Sequence, residues 1–271
     1  MSLLVERTLP DVQAGADERG VALDDVGISG LRYPATVECA DGSLQQTICE
    51  AQLAVALAAP TRGTHMSRFV EALHEQREAL SPPGVLAMAH DLAARLDACE
   101  AAIRLAFPLF VSREAPVTGQ EALLGIDCTL TARLEPNGAE VRVGARAPVT
   151  SLCPCSKEIA DYSAHSQRGH VLVEVLDGCW PAGDLGLWPE ELLAICDQAA
   201  SAPIYPLLKR PDERHVTMLA YDRPAFVEDL AREVALGLKS DERVAGFDIE
   251  VVNQESIHDH QAFARLSWRR P

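Results

Sequence analysis

The stretch LLGIDCTLTARL, residues 123–134, continued after Pro136-Asn137-Gly138 by AEVRVGARAPVTSL, residues 139–152, decides the fold class. In both runs apolar residues alternate with polar ones, as in strands with one buried face, and the Pro-Asn-Gly turn joins them as an antiparallel hairpin. An earlier pair repeats the pattern. GISGLRYPATVEC and LQQTICEAQLAVALA, between Val26 and Ala58, flank the turn Ala40-Asp41-Gly42-Ser43 and predict a second hairpin. HVLVEVLD and GFDIEVVN read as further strands. Helical stripes lie between these strands. Phe69, Val70 and Leu73 open one that ends near Leu80, the break Ser81-Pro82-Pro83-Gly84 stops it, and Leu86, Leu92, Leu96, Cys99 and Ile103 form a second. Pro189 to Ala199 and then Phe226, Val227, Leu230, Val234 and Leu238 give helices in the second half. The two halves share one order of elements. Ser67-Arg68-Phe69-Val70-Glu71-Ala72-Leu73 also resembles Pro224-Ala225-Phe226-Val227-Glu228-Asp229-Leu230, a likeness that either duplication or chance supplies. The expected organisation is α+β: an arm over 1–22 that orders only against a partner, a first module over 23–115 and a second over 116–271.

The chain has 271 residues, 48% hydrophobic and 24% charged, enough to bury a core without staples. Its net charge of −16 repels nucleic-acid backbones and anionic membrane surfaces, so neither is expected as a partner. No run approaches the roughly 20 apolar residues of a membrane span. The opening MSLLVERTLPDVQAGADERG lacks the basic flank and apolar run of a signal peptide, and a cytoplasmic protein is expected. Cysteines at 39, 49, 99, 128, 153, 155, 179 and 196 mostly stand alone, unlike a disulfide scaffold.

Polar chemistry concentrates in three places. Cys153-Pro154-Cys155-Ser156-Lys157 is followed by His165-Ser166-Gln167-Arg168-Gly169-His170, and thiolate with imidazole suits a borderline metal ion. The rigid proline separates the thiols, so one ligand and one free thiol are expected; a tight turn with inward-packed cysteines is the alternative. Lys209-Arg210-Pro211-Asp212-Glu213-Arg214-His215 reads as a charged loop, ordinarily a solvated connection. With Lys157 and Arg168 it also makes a local basic cluster that a polyanionic ligand would need. Third, His258 and His260 flank Asp259, so in extended chain both imidazoles face one side, placed for proton transfer or simply exposed after a strand.

Long motifs tie these places together: LPDVQ, RGVALDDVGISGLRYP, RGTHMSRFVE, PVTSLCPCSKEIADYSAHSQRGHV, LLKRPDERHVT, RPAFVEDL and NQESIHDHQAFA. Across nearly the whole chain they resemble the type IB GTP cyclohydrolases. The resemblance implies the tunnelling fold, with two tandem modules of antiparallel sheet carrying helices on one face, and a homotetramer with active sites between subunits. It implies metal-dependent hydrolysis of GTP to 7,8-dihydroneopterin triphosphate and formate, on the way to tetrahydrofolate and deazaguanine nucleosides. One divalent ion per site, manganese, iron or zinc, would be held by Cys153, His165 and Glu213, with a position left open for solvent.

By the same resemblance Glu228 would anchor guanine with two hydrogen bonds. Glu255, His258 and His260 would move protons, with Cys155 an auxiliary group beside the metal. Lys157, Arg168, Lys209 and Arg210 would meet the triphosphate, unless a neighbouring subunit supplies those cations. Glu71 would be structural, and His65 would reach an interface. Met218-Leu219-Ala220, Ser163 and Ser166 depart from the family pattern without replacing a ligand. A nitrile reductase of the same fold, or a binding protein without catalysis, would differ here: the first lacks a metal-ligating acid such as Glu213, the second would lose polar groups this chain keeps.

Overall fold

In the computed structural model, which describes residues 11–13, 15–177 and 186–271, strands with alternating burial dominate. β1 (Leu23–Glu38) and β2 (Leu44–Leu57) form the first hairpin, and β4 (Glu121–Glu135) and β5 (Gly138–Leu152) the second, as the alternation requires. β6 (Ser166–Asp177) and β8 (Val244–Gln254) are the two further strands expected. Three strands lie outside that expectation: β3 (Ala101–Glu114), β9 (Gln261–Arg269) and the two-residue β7 (Ala202–Pro203). The sheet runs β1-β2-β3-β4-β5-β6-β8-β9 with every neighbour antiparallel, and β7 pairs with β5.

β3 corrects the long second helix expected through Ile103. That helix, α2 (Pro82–Leu96), ends because Asp97 adopts a left-handed conformation, φ 51°, and its N–H caps Ala93 and Ala94. Beyond it Ala101, Ile103, Leu105, Phe107 and Leu109 are buried on alternate positions. β2 pairs with β3 only as far as Ala106, before Pro108, which has no N–H to give. Side chains take over there. Thr47 Oγ1 donates to Pro108 O at 2.8 Å, and Gln45 both donates to Phe110 O, 2.9 Å, and accepts from Phe110 N, 2.7 Å.

α1 (Met66–Gln76) and α2 cover the sheet's first half, and α4 (Pro189–Ala199) and α6 (Val227–Lys239) its second, all on one face. Their apolar stripes meet the inward strand residues in a single core with Phe69, Leu73, Leu92, Leu230, Val234 and Phe247 fully buried. This is the layered α+β tunnelling-fold arrangement. The order β1-β2-α1-α2-β3-β4 recurs as β5-β6, helices, β8-β9. Of the expected arm, residues 1–10 and 14 lie outside the described residues. Within the described part of the arm, Asp17 N donates to Pro60 O at 2.8 Å, and Arg62 N to Gly15 O at 3.1 Å.

The charged loop at 209–215 is in fact the start of a helix, α5 (Arg210–Asp222). Pro211 occupies its first turn, where the missing N–H costs nothing, and Asp212 Oδ2 reaches back to Lys209 N at 2.9 Å. The buried Asp212 also accepts from Val117 N and Thr118 N, both 2.8 Å, and from Thr118 Oγ1, 2.7 Å. Burial pushes this carboxyl up, but those donors outweigh it and hold it well below the usual carboxylate range. Asp212 thereby locks α5 to the β3–β4 connection.

Candidate active site

Where β5 ends, Cys153 caps the short helix α3 (Pro154–Ile159), and its Sγ accepts from Ser156 N at 3.4 Å. Cys153 N donates to His165 O, 3.1 Å, and His165 N to Ser156 Oγ, 3.1 Å, so the turn and the residue before β6 are fastened together. α6 begins against the same strand end. Ala225 N donates to Leu152 O, 3.0 Å, and Asp229 Oδ2 accepts from Phe226 N, 3.0 Å, placing Glu228 in the helix's first turn. The β8–β9 turn supplies the fourth wall. There His258 and His260 stack with centroids 5.1 Å apart, and Glu255 accepts from Gln167 Nε2 at 3.4 Å. The two imidazoles share one side, as expected, though from a turn and not from extended chain.

These elements enclose a cavity of about 260 Å³ lined by Cys153, His165, Glu228, Glu255, His258 and His260. Six of the twelve residues singled out in the sequence thus come together, from segments far apart in the chain. The other six do not line it. Cys155 is exposed; Lys157 Nζ donates to Tyr221 O at 2.5 Å and sits over the Tyr221 ring; Arg168, Lys209 and Arg210 are exposed. Among the described residues no lysine or arginine lines the cavity. Glu213 is exposed in the first turn of α5, on the helical stripe of Val216 and Ala220. Val216 and Ala220 belong to the small apolar cluster that contains Leu152 and Ala164, the neighbours of Cys153 and His165.

Among the described residues no three His, Cys, Asp or Glu side chains group to hold one ion. Two donors nevertheless fit. Cys153 and His165 face one cavity, and the His165 Nδ1 is engaged by Gln167 Oε1 at 2.9 Å, which leaves Nε2 for a ligand. Sulfur with imidazole nitrogen suits zinc or iron; the expected third donor, Glu213, is not grouped with them.

A larger cavity, about 460 Å³, lies on the helix-free face among Arg104, Arg146, Glu174, Asp248 and Arg265, and holds none of the expected residues. Convergent thiol, carboxylates and imidazoles weigh more than size, so the smaller cavity is the candidate. Sequence reasoning missed Ser151, Gln167 and Asn253, all buried at its base. Their signal was a polar residue at an inward-facing strand position, which needs a hydrogen-bond partner to be tolerated.

A family model of type I GTP cyclohydrolase folE2 matches residues 9–264. The chain is 46% identical over 259 residues to GTP cyclohydrolase FolE2 1 of Dechloromonas aromatica (strain RCB), covering 95% of each protein. It is 41% identical over 263 residues to GTP cyclohydrolase FolE2 of Nitrosococcus oceani, covering 97% of this chain and 96% of that one. Among solved structures, uricase from Arthrobacter globiformis is similar with TM-score 0.54 and 8% identity, covering 91% of this chain and 93% of that one. Urate oxidase from Bacillus subtilis 168 gives 0.52 and 7%, covering 91% and 98%; at such identity the likeness shows the fold alone. No helix among the described residues is long and apolar enough to cross a membrane. Because the match runs through both modules and every segment that walls the cavity, the chain belongs to the type I GTP cyclohydrolase folE2 family.

Proposed function

We propose that the cavity opens the imidazole ring of GTP, releases C8 as formate and leaves 7,8-dihydroneopterin triphosphate. Family membership makes the chain a hydrolase acting on GTP in folate biosynthesis. The observation that carries the residue-level reading is the convergence of Cys153, His165, Glu228, Glu255, His258 and His260 on one cavity. Water is consumed twice at C8, once to open the ring and once to free formate, and closure of the new ring returns one water. Each of those steps moves a proton.

Glu228, at the mouth of α6, accepts from the ring N–H and exocyclic amine of guanine, a pattern adenine lacks. His258 and His260, stacked on each other, deliver and remove protons at the nitrogens that flank C8, and Glu255 orients the attacking water. Cys153 Sγ and His165 Nε2 would hold a divalent ion with Glu213 as the third donor, Cys155 standing by as an auxiliary group. Such an ion supplies Lewis acidity that makes water nucleophilic near neutral pH. Thiolate and imidazole favour zinc or iron, and the carboxylate with solvent is what would admit manganese.

The triphosphate needs cations, and none lines the cavity among the described residues. Lys157, Arg168, Lys209 and Arg210, or their equivalents on another subunit, fill that role. A homotetramer with sites between subunits accounts for this and for the sheet's ends, where β1 and β9 each pair on one side only. The same product would serve deazaguanine nucleosides as well as tetrahydrofolate, in a cytoplasmic enzyme with neither nucleic acid nor membrane as partner.

Purified protein incubated with GTP and manganese tests the reading. Formate and a product that turns fluorescent on oxidation are expected in equal amounts; unchanged GTP would refute it.

A further inference from the structure

Beneath the cavity runs a chain of hydrogen bonds whose polarity is set from one end. Ser151, fully buried, donates its hydroxyl proton to Ala225 O at 2.9 Å. Its oxygen is therefore left to accept, from Asn253 Nδ2 at 3.1 Å and from Gln167 Nε2 at 3.4 Å. The second hydrogen of the Gln167 amide reaches Glu255 Oε1, also at 3.4 Å, and a carboxylate accepts only. Gln167, itself buried, has thus spent both amide hydrogens, and its Oε1 faces His165 Nδ1 at 2.9 Å.

Turning the amide over would set its oxygen against the Glu255 carboxylate. It would also draw the Ser151 proton away from Ala225 O, leaving a buried carbonyl unpaired. The first orientation pairs every polar atom of the Gln167 amide, keeps Ala225 O paired and sets a donor against Glu255. Of the side chains on Ser151, only Asn253 keeps a buried oxygen, Oδ1, without a partner. That orientation requires the proton of neutral His165 to sit on Nδ1, with Ser256 Oγ, 3.3 Å away, as a second acceptor.

We infer that Gln167 is a positioning residue: it fixes His165 as the Nδ1–H tautomer, turns the Nε2 lone pair to the cavity, and ties that choice to the placement of Glu255. Free neutral histidine favours the opposite tautomer, so the protein must impose this one. The metal consequence rests on the proposed reading of His165 as a ligand; the tautomer does not. Partners of this kind contribute roughly 10–100-fold to metal affinity.

The test uses full-length, metal-free protein with nitrogen-15 in its histidine rings, at a pH where they are neutral. The His165 signals are those lost in His165→Gln. Nitrogen shifts that place the proton on Nδ1 in the wild type support the inference; a proton on Nε2 overturns it, whatever any variant does. Gln167→Leu, which removes the acceptor facing Nδ1, should release the tautomer. An unchanged tautomer in a folded Gln167→Leu protein also overturns the inference, and if that variant does not fold, the wild-type shifts decide.

Cobalt(II) titration separates the two readings. A loss of about 10–100-fold in Gln167→Leu supports both. No cobalt binding by wild-type protein whose His165 carries its proton on Nδ1 refutes the metal reading and leaves the tautomer assignment standing.

Discussion

Two helices spelled alike, α1 with Phe69-Val70-Glu71 and α6 with Phe226-Val227-Glu228, occupy different places in the molecule. α1 starts at Met66, so Phe69 lies inside the helix and is fully buried, and Glu71 falls in the second turn. α6 starts at Val227, so Phe226 is the cap residue, 39% exposed, and Glu228 stands in the first turn at the cavity. The difference comes from capping. Asp229 closes on Phe226 N and starts the second helix there, whereas α1 has no side-chain cap and no acid in its first turn. Glu71 instead borders a surface hollow with Tyr33 and His74, whose side chains bond each other at 2.6 Å. Distance from the helix start, and the strand end beneath it, decide whether such a carboxylate lines the cavity, and the proposal of Glu228 as purine anchor rests on that placement. A shared spelling does not suffice.

The largest effect expected from this contrast is on turnover. Glu228→Ala should lower kcat/KM for GTP by on the order of 10²–10⁴-fold, since two charge-assisted hydrogen bonds are lost, while Glu71→Ala stays within about twofold. Equal losses measured by steady-state kinetics would erase the distinction. In stability the order reverses. Phe69→Ala should cost about 3–5 kcal/mol in denaturant unfolding, and Phe226→Ala less than about 1 kcal/mol. Glycines sharpen the contrast further. A Cβ at Gly169 would lie 2.2 Å from Asn253 Oδ1, so Gly169→Ala must displace that buried side chain and should cost about 1–3 kcal/mol. At Gly125 the nearest atom is the exposed Phe110 ring, 3.2 Å away, and Gly125→Ala should be nearly neutral in the same assay.

The smallest effect concerns acid. Burial first, then Arg146 and Arg168, push the His170 pKa below 6.5. The unfolded chain therefore takes up this proton more readily, and stability falls as pH drops from the ordinary histidine value toward the lowered one. His170→Gln should flatten the fall of Tm with pH in that window, and an unaltered slope would contradict the assignment.

Strict alternation or a clean helical stripe made much of the fold readable. Both expected hairpins, α4 and α6 follow directly from such patterns. β3 was hidden because Ala102 and Ala106 fill its outward positions with helix-forming alanine, and Cys99 and Ile103 fall near helical spacing from Leu92 and Leu96. α5 was hidden by charge. Its apolar stripe is short, and its start is marked only by Pro211 and Asp212. β9 carries the period-two signal in Ala262, Ala264, Leu266 and Trp268, with Trp268 stacked on Phe247 at 5.4 Å, but its spacing was overshadowed by the histidines before it.

At the site, donors with distinctive chemistry were readable and the groups that aim them were not. Cys153, His165 and the late histidines announce themselves by residue type, and Glu228 only through the family motif RPAFVEDL. Ser151, Gln167 and Asn253 matter through hydrogen-bond direction, which only the folded arrangement displays. The cations and Glu213 stand apart from the cavity because motif proximity along the chain does not fix which side of a helix or strand faces it.

Formate release measured alongside metal content in the wild type, Cys153→Ala, His165→Ala and Glu213→Ala tests the central claim most directly. The account predicts that wild-type protein loaded with manganese releases one formate per GTP. Each variant should lose bound metal and formate release together. Full turnover by metal-free wild-type protein, or by a variant that holds no metal, would contradict it.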